Sequence, residues 1–284
     1  MSQKRGTKRP GPSQVQYMDV DEEDTLSQTP TSSQVQHNVQ RLSQSQMEAK
    51  VHELVFFLLV KDQKKIPIKR ADILKHVVKD YKNVFTELLK RANQNLQQVF
   101  GMELVEIDPK HHTYILISKL PHLERESSKE DENTPKMGLL LVILSLIFMK
   151  GNVAKECKFP ATPAQPTSLL PSVPNPPLLL SLPLAAVWEV LRRLRVDPGE
   201  KHKIFGDVKK LVTEEFVRQK YLEYNRLPHT DPPEFEFRWG PRAIKETSKK
   251  QILQFVSKMQ NKDPTFWTNQ YNEAEAEGSS AGGR

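Results

Sequence analysis

The chain has 284 residues, which is room for one large domain or two ordinary ones, and only 37% of them are hydrophobic, with a mean hydropathy of −0.59. That low apolar content predicts disordered segments beside folded ones. The single cysteine, Cys157, excludes a disulfide framework and a cysteine-rich zinc site and suits a reducing compartment, and the polar N-terminus does not resemble a signal peptide.

The formal net charge of +7 is spread unevenly along the chain. Residues 1–46 are balanced, whereas residues 47–123 carry a net charge of +4 and residues 186–270 a net charge of +5. The segments 124–136 and 271–284 each carry −2. Because the positive excess lies on the two stretches with the patterns of folded structure, it fits a polyanionic partner, although many solvated domains carry a similar charge.

Residues 1–46 hold almost no large apolar side chains, so they are predicted to form a disordered tail rich in Ser-Gln pairs. Ser-Gln is the target dipeptide of the DNA-damage kinases, which predicts phosphorylation and a gain of negative charge after damage. The basic pairs at 4–5 and 8–9 fit either a weak nuclear-import signal or solvated charge. The predicted phosphorylation sites are Ser13, Ser27, Ser33, Ser43 and Ser45.

Residues 47–123 show the order helix, helix, helix and two-stranded wing that is typical of a winged helix. Apolar residues recur at helical spacing in three stretches, and a turn built on Asp108-Pro109 joins two runs of strand-forming residues. A charged, serine-containing linker is predicted over 124–136. The predicted elements are helices over 47–60, 70–79 and 83–100, strands over 102–107 and 113–118, and a short extended piece at 66–68.

The same order recurs in residues 137–270. Met137–Met149 is apolar on every side, and its thirteen residues fall short of the about 20 needed to cross a bilayer, so it is predicted to be the central helix of a soluble core, stopped by Gly151-Asn152. Residues 271–284 are predicted to form a disordered acidic tail. The other predicted elements are helices over 186–195, 205–219 and 248–260 and strands over 221–227 and 234–239. The predicted fold is therefore mainly α with small β-hairpin wings, arranged as tandem winged-helix domains.

Residues 157–185 interrupt the second winged helix with eight prolines, seven leucines and one charged residue. Proline at that density excludes a helix or a central strand, and most helix–helix connections have fewer than about eight residues. The segment can be encoded by DNA with the signals of an intron. Codons for Cys157-Lys158-Phe159 can contain GTAAGT, the preferred intron start. Codons for 176–184 are rich in pyrimidines, as in a polypyrimidine tract, and codons for 185–186 can contain the AG that closes an intron. We hypothesise a retained intron or a gene-model error; the alternatives are a proline-rich loop that binds a partner and a tolerated insertion.

The sequence contains no Walker loop, no G-x-G-x-x-G and no H-E-x-x-H. His111-His112 lies in a predicted hairpin turn without a cysteine or carboxylate at ligand spacing. We therefore predict a protein that is not an enzyme, with no metal site, no cofactor and no small-molecule substrate. No membrane partner is predicted either.

Four stretches closely resemble the MAGE homology domain: 61–75, 146–152, 222–231 and 237–242. The resemblance covers about 47–270 apart from 157–185, and in the family pattern Glu156 is followed directly by the helix that begins near Val187. It implies tandem winged helices that grip a RING-type E3 ubiquitin ligase subunit (non-SMC element one) and a kleisin subunit (non-SMC element four) and that bind double-stranded DNA.

Within that family the sequence is most similar to the member that serves in the Smc five/six chromosome-maintenance and DNA-repair complex. The resemblance thus implies a nuclear, chromosome-associated subunit that stimulates its partner ligase. The alternative is a transcription regulator that uses its winged helices without the complex. Co-purification of a RING subunit separates the two hypotheses.

The resemblance also implies roles for particular residues. The family's dileucine, used in ligase contact, falls on Leu58-Leu59, although both residues also suit the inward face of the first helix. In winged helices the third helix commonly enters the major groove and the wing reaches the backbone. A set of Lys and Arg side chains there predicts phosphate contact rather than base reading. The predicted DNA-binding residues are Lys209, Lys210, Arg218, Lys220, Arg226 and Arg238.

Overall fold

The computed structural model describes residues 43–120, 133–156 and 187–281. Most of the predicted Ser-Gln tail, most of the predicted linker and the proline-rich segment 157–185 lie outside the described residues. Two separate hydrophobic cores are present, one in each half of the chain. We call residues 43–120 domain A and residues 133–281 domain B. The mainly helical fold with small antiparallel sheets is as predicted.

Domain A follows the winged-helix order. Between its second and third helices the chain runs through a π-helical turn, Leu74–Val78, and a 3-10 turn, Lys79–Val84, so the predicted second helix is in place but irregular. The elements are α1 (Gln44–Gln63), β1 (Ile68–Lys69), α2 (Arg70–Ile73), α3 (Phe85–Phe100), β2 (Met102–Asp108) and β3 (Thr113–Ser118).

The limits of the domain A helices follow from local chemistry. Helix α1 begins at a capping box, in which the Ser43 hydroxyl accepts from the Gln46 amide and the Gln46 side chain accepts from the Ser43 amide. Residues 43–46 therefore belong to α1 and its cap rather than to the predicted disordered tail. Helix α3 ends at Gly101, which has the left-handed conformation that glycine favours, with φ of 60°. The apolar residues that α1 buries recur at helical spacing: Met47, Val51, Leu54, Val55 and Leu58.

Domain B repeats the order of domain A, with a small hairpin before its third helix and further helices after its wing. The third helix is divided by a π-helical turn, Leu211–Glu215, and a 3-10 turn, Pro264–Phe266, precedes the last helix. The elements are α4 (Thr134–Met149), β4 (Ala154–Glu156), α5 (Val187–Arg193), β5 (Lys201–His202), β6 (Gly206–Asp207), α6 (Val208–Lys210), α7 (Phe216–Arg218), β7 (Leu222–Arg226), β8 (Phe235–Trp239), α8 (Pro241–Glu246), α9 (Lys249–Gln260) and α10 (Thr268–Ala281).

Each wing is completed by a short third strand from earlier in its own domain. The strand order is β1-β3-β2 in domain A and β4-β8-β7 in domain B, and all pairs are antiparallel. Ile68 lies opposite Tyr114 in the first sheet, and Ala154 lies opposite Phe237 in the second. The two domains thus share one topology.

Helix α4 is the centre of the domain B core, as predicted for this apolar stretch. Burial of each of its large apolar side chains contributes about 2 kcal/mol before entropy is subtracted. The chain turns away at Gly151 and Asn152, which both have positive φ, and the Asn152 amide donates to the Ile147 carbonyl at 2.9 Å. Within the described ranges 43–120, 133–156 and 187–281, no helix is long and apolar enough to cross a membrane.

A buried polar cluster lies where domain B is interrupted by the proline-rich segment. The Glu156 carboxylate accepts one hydrogen bond from Trp188 Nε1 at 2.9 Å and another from the Tyr224 hydroxyl. Burial, followed by the hydrogen bond to Glu156, raises the pKa of Tyr224 above its ordinary value. Because Glu156 ends β4 and Trp188 lies in the first turn of α5, the cluster ties together the two elements that flank residues 157–186.

The predicted disordered tail over 271–284 is wrong for its greater part, because α10 continues to residue 281. Ala274 is buried in the domain B core. The Glu273 carboxylate binds Lys249 Nζ at 2.6 Å and Asn152 Nδ2 at 2.7 Å. The helix combines this small apolar contact with polar ones, and its low apolar content is the reason why the sequence suggested disorder.

Helix α8 was not predicted and follows the wing directly. A Cβ atom on Gly240, its N-cap, would lie 2.3 Å from the Lys220 carbonyl oxygen, so the close approach of these two backbone segments requires glycine. The approach places α8 against β2 and β3 of domain A. Domain B therefore meets domain A through the helix that leaves its wing.

Candidate partner-binding and nucleic-acid surfaces

Helix α1 presents an apolar strip on its outer face. Phe56 is 70% exposed and Val60 is 44% exposed, and the two lie one turn apart on the same face of the helix. Beside them the Phe57 ring stacks on His76, with 5.9 Å between ring centroids, and Lys61 Nζ lies 5.4 Å from the Phe57 ring centroid. A large exposed aromatic residue beside other apolar surface is typical of protein–protein contact.

The predicted dileucine is divided between the core and the edge of this strip. Leu58 is completely buried in the domain A core, so a direct contact between Leu58 and a ligase is corrected to a core role. Leu59 is half-buried and packs at the margin of the core, so its ligase contact stays a prediction. Sequence reasoning missed Phe56 and Val60, although their helical phase relative to Leu58 could have placed them outside.

All six residues predicted to bind DNA are exposed. The carboxylate of Asp207 caps the third helix of domain B by accepting from the Lys210 amide at 2.9 Å. Lys209 and Lys210 follow in α6, Arg218 ends α7, and Lys220 lies in the turn before the wing. The structure therefore brings four of the six cations to one helix and the turn behind it.

The two wing cations differ in their surroundings. Arg226 is the last residue of β7, near the tip of the wing, where it lies opposite Phe235. Arg238 Nε is 2.7 Å from the Glu236 carboxylate, so its charge is already partly neutralised. Arg226 is thus the stronger candidate of the pair for a phosphate contact.

A groove of about 300 Å³ runs along the third helix of domain B. It contains both signs of charge, with three acidic and two basic side chains beside two apolar ones. The basic pair belongs to the predicted DNA-binding set, whereas Lys209 does not line the groove. The lining residues are Phe205, Asp207, Lys210, Leu211, Glu214, Glu215 and Arg218.

Two of the five predicted phosphorylation sites fall within the described residues. Ser43 and Ser45 are exposed at the start of α1, where the Ser43 hydroxyl is the helix cap. Ser13, Ser27 and Ser33 lie outside the described residues.

The histidines of the domain A wing each lie within hydrogen-bonding distance of one carboxylate. His111 Nδ1 is 2.7 Å from Asp108, and His112 Nδ1 is 2.8 Å from Glu106. The hydrogen bond from His111 outweighs the small effect of burial and lowers the pKa of the Asp108 carboxyl. In the part of the chain that the structure describes, no group of three or more His, Cys, Asp or Glu residues is arranged to hold a metal ion.

The sequence pattern of the MAGE homology domain matches residues 54–161 and 181–250. The unmatched residues between them, 162–180, fall inside the segment predicted to be an insertion. The match therefore covers parts of both winged helices.

Individual proteins within this family are similar to the chain over most of its length. The chain is 53% identical to the non-structural maintenance of chromosomes element 3 homolog of Homo sapiens, over 83% of this chain and 68% of that protein, and 52% identical to its Mus musculus counterpart, over 83% and 75%. It is 46% identical to melanoma-associated antigen F1 of Homo sapiens, over 80% of this chain and 65% of that protein.

A solved structure agrees with these relatives. A chain of the Nse1-Nse3-Nse4 complex superposes with a TM-score of 0.70 at 56% identity, covering 82% of this chain and 100% of that one. The sequence pattern, the relatives and the shared fold lead to one assignment. This chain belongs to the MAGE homology domain family.

Proposed function

We propose that this chain is a non-catalytic subunit of the Smc five/six chromosome-maintenance and DNA-repair complex. In that role it joins a RING-type E3 ubiquitin ligase subunit, a kleisin subunit and double-stranded DNA, and it acts in the nucleus on chromosomes. The observation that carries the proposal is the superposition, over the whole of the matched chain, on a component of the Nse1-Nse3-Nse4 complex. Co-purification of the tagged full chain tests it, with both partner subunits expected in the eluate.

The ligase contact is proposed for the outer face of α1. Phe56 and Val60 are exposed and Leu59 lies beside them, so the strip offers apolar area without unfolding the core. A Phe56→Ala/Val60→Ala pair should lose the RING subunit and its stimulation while keeping the melting temperature. Phe266→Ala, at an aromatic residue of domain B that is 62% exposed, is the control. Retention of the ligase by the double variant would place the contact elsewhere.

Duplex DNA is proposed to bind domain B through its third helix and wing. Lys209 and Lys210 are exposed on α6, and Arg226 lies near the wing tip. Contact with phosphates predicts binding that is sensitive to salt and tolerant of sequence. Charge reversal at Lys209 and Lys210 should weaken duplex binding at low salt, whereas reversal at Lys258, exposed on α9, should not. Specific over nonspecific affinity far above about 1000-fold would favour a transcription regulator instead.

Phosphorylation is proposed at Ser43 and Ser45, with Ser13, Ser27 and Ser33 on the chain before them. A phosphate on the cap residue Ser43 would lie at the positive end of α1, whose first turn contains no acidic residue. Phosphopeptide mapping after irradiation is expected to find these serines modified. Finding all of them unmodified would overturn this part of the proposal.

A further inference from the structure

The contact between the two domains contains a completely buried arginine. Arg242 Nε donates to the Gln219 carbonyl at 2.8 Å, and Nη2 donates to the Lys65 carbonyl at 3.2 Å. Its Nη1 lies 2.9 Å from Glu246 and 3.6 Å from Asp62. Residues 62–65 belong to domain A and the others to domain B. We call the surface that they form the seam.

The acidic groups at the seam are already neutralised. Asp62 binds Lys65 Nζ at 2.8 Å and faces Arg242, and Glu246 binds the same guanidinium. Two carboxylates and two cations thus balance each other. The seam therefore supplies no unpaired carboxylate to neutralise the exposed cations around it.

Exposed lysines from both domains flank this neutral centre. The Lys64 carbonyl lies 3.5 Å from Gln219 Nε2, and Gln219 stands between Arg218 and Lys220 in the sequence. The Lys220 carbonyl in turn accepts from the Arg242 amide at 3.0 Å. Within the described ranges, neither Lys64 nor Lys220 has a carboxylate oxygen within 4.0 Å. Lys64 of domain A is thus held next to the C-terminal end of the third helix of domain B.

A fixed row of cations is what a nucleic-acid backbone recognises, because its phosphates recur at a constant spacing and release counterions when neutralised. A cationic surface that spans two domains keeps its geometry only if the domains are held in one orientation. The buried fork of Arg242 supplies that restraint, since it bonds to carbonyl groups of both domains at once.

We propose that the duplex-binding surface of domain B continues across the seam onto domain A through Lys64, and that Arg242 is the positioning residue that holds its two parts together. The inference rests on the proposed DNA-binding function and extends it to a second domain. The ligand class is the phosphate backbone of double-stranded nucleic acid.

The test measures the anisotropy of a labelled DNA duplex titrated with the full chain at several salt concentrations. Lys64→Gln should weaken binding on the order of fivefold at 0.1 M salt and lower the slope of log affinity against log salt by about one. Lys90→Gln, at an exposed lysine of α3 outside the seam, should change neither. Lys210→Gln reports the domain B contact by itself.

The outcomes separate the two claims. If the wild-type chain binds no duplex, the proposed DNA binding fails, and the extension falls with it. If Lys210→Gln weakens binding while Lys64→Gln matches the wild type, only the extension across the seam is overturned.

A double-mutant cycle tests the role of Arg242. In an Arg242→Met background, Lys64→Gln should no longer change the salt slope. In an Arg242→Lys background, Lys64→Gln should regain part of its effect on that slope. Should circular dichroism show Arg242→Met unfolded, Asp62→Asn loosens the same contact more gently. A full Lys64→Gln effect in a folded, loosened background would show that Arg242 does not position this surface.

Discussion

The two winged helices share a topology but differ at the step from the short strand to the second helix. In domain A, β1 ends at Lys69 and α2 begins at Arg70, with no residue between them. In domain B, β4 ends at Glu156 and α5 begins at Val187, and 30 residues separate them in the sequence. The strand and the helix thus follow each other directly in domain A, whereas a long connection separates the equivalent strand and helix in domain B.

This difference shows that the junction is fixed by contacts of its flanking elements and not by the covalent link. Strand β4 pairs with β8, and the Glu156 carboxylate accepts from Trp188 across the gap. The entropy cost of closing a flexible loop grows only with the logarithm of its length, so well-anchored ends tolerate a long excursion. The MAGE pattern, which passes over residues 162–180, agrees with an insertion at this place.

The largest expected effect on the free energy of unfolding comes from the core of domain B, the domain that the long connection interrupts. Phe148 of α4 is completely buried, so Phe148→Ala should lower the free energy of unfolding by about 3–5 kcal/mol. Leu54→Ala makes the matching deletion in α1 of domain A and should cost about 2–5 kcal/mol. Urea denaturation measures both, and a loss below about 1 kcal/mol for Phe148→Ala would mean that the core around the interrupted junction is loosely packed.

The second effect concerns the bond between the two domains. Arg242→Met removes a buried cation and leaves Asp62 and Glu246 without it, so it should cost about 3 kcal/mol. Arg238→Met, which removes a half-exposed cation paired with Glu236, should cost less than about 1 kcal/mol. Equal losses in thermal or urea unfolding would show that the seam contributes no more than a surface ion pair.

Removing the long connection should have a smaller effect and the opposite sign. Replacing 157–186 by a single serine shortens the link between Glu156 and Val187 from 31 peptide bonds to two, which is about sixteenfold. Four halvings of loop length should raise the free energy of unfolding by about 2 kcal/mol. A glycine-serine segment of the original length should match the wild type. A destabilised single-serine variant would show that the flanking elements need the long connection.

The smallest expected effect lies at the C-terminal helix, which has no counterpart in domain A. Burial of Glu273 is outweighed by its hydrogen bonds to Lys249 and Asn152, which lower its pKa below the ordinary 4.5. A lowered pKa in the folded state gives stability that is present above the unfolded-state pKa and is lost as the pH falls through the folded-state pKa. Glu273→Gln should therefore cost less than about 1 kcal/mol at neutral pH, and this difference should shrink below about pH 4.5.

Urea titrations at pH 7 and pH 3.5 measure this change. Glu277→Gln, near the end of the same helix, serves as a comparison. A difference between wild type and Glu273→Gln that stays constant down to pH 3.5 would contradict the assignment of the ion pair.

The sequence predicted best the elements whose pattern and end signals agree. The strand Thr113–Ser118 was placed with its observed limits, and helix α9 with a difference of one residue, because Ser248 is its cap and not its first turn. The π-helical turns could not be predicted, since they leave the apolar spacing almost unchanged. Helix α10 was missed because its polar partners Lys249 and Asn152 are distant in the sequence.

The candidate sites were predicted less completely. The resemblance implied ligase contact at Leu58-Leu59 while the helical phase also suited a core role, and the structure assigns Leu58 to the core. The basic residues of domain B were found by type and position, but the pairing of Arg238 with Glu236 depends on the pleat of β8. The buried role of Arg242 could not be inferred from its local partner Glu246, because its other partners come from both domains.

The backbone contact at Gly240 has a consequence for inherited or engineered variation. Position 240 touches neither a partner surface nor a charged group through a side chain, and yet any replacement places an atom against the Lys220 carbonyl. A missense change there would shift the start of α8 and withdraw Arg242 from domain A without altering a single contact residue. Such a variant would show the phenotype of a lost domain interface from a position where no functional residue lies.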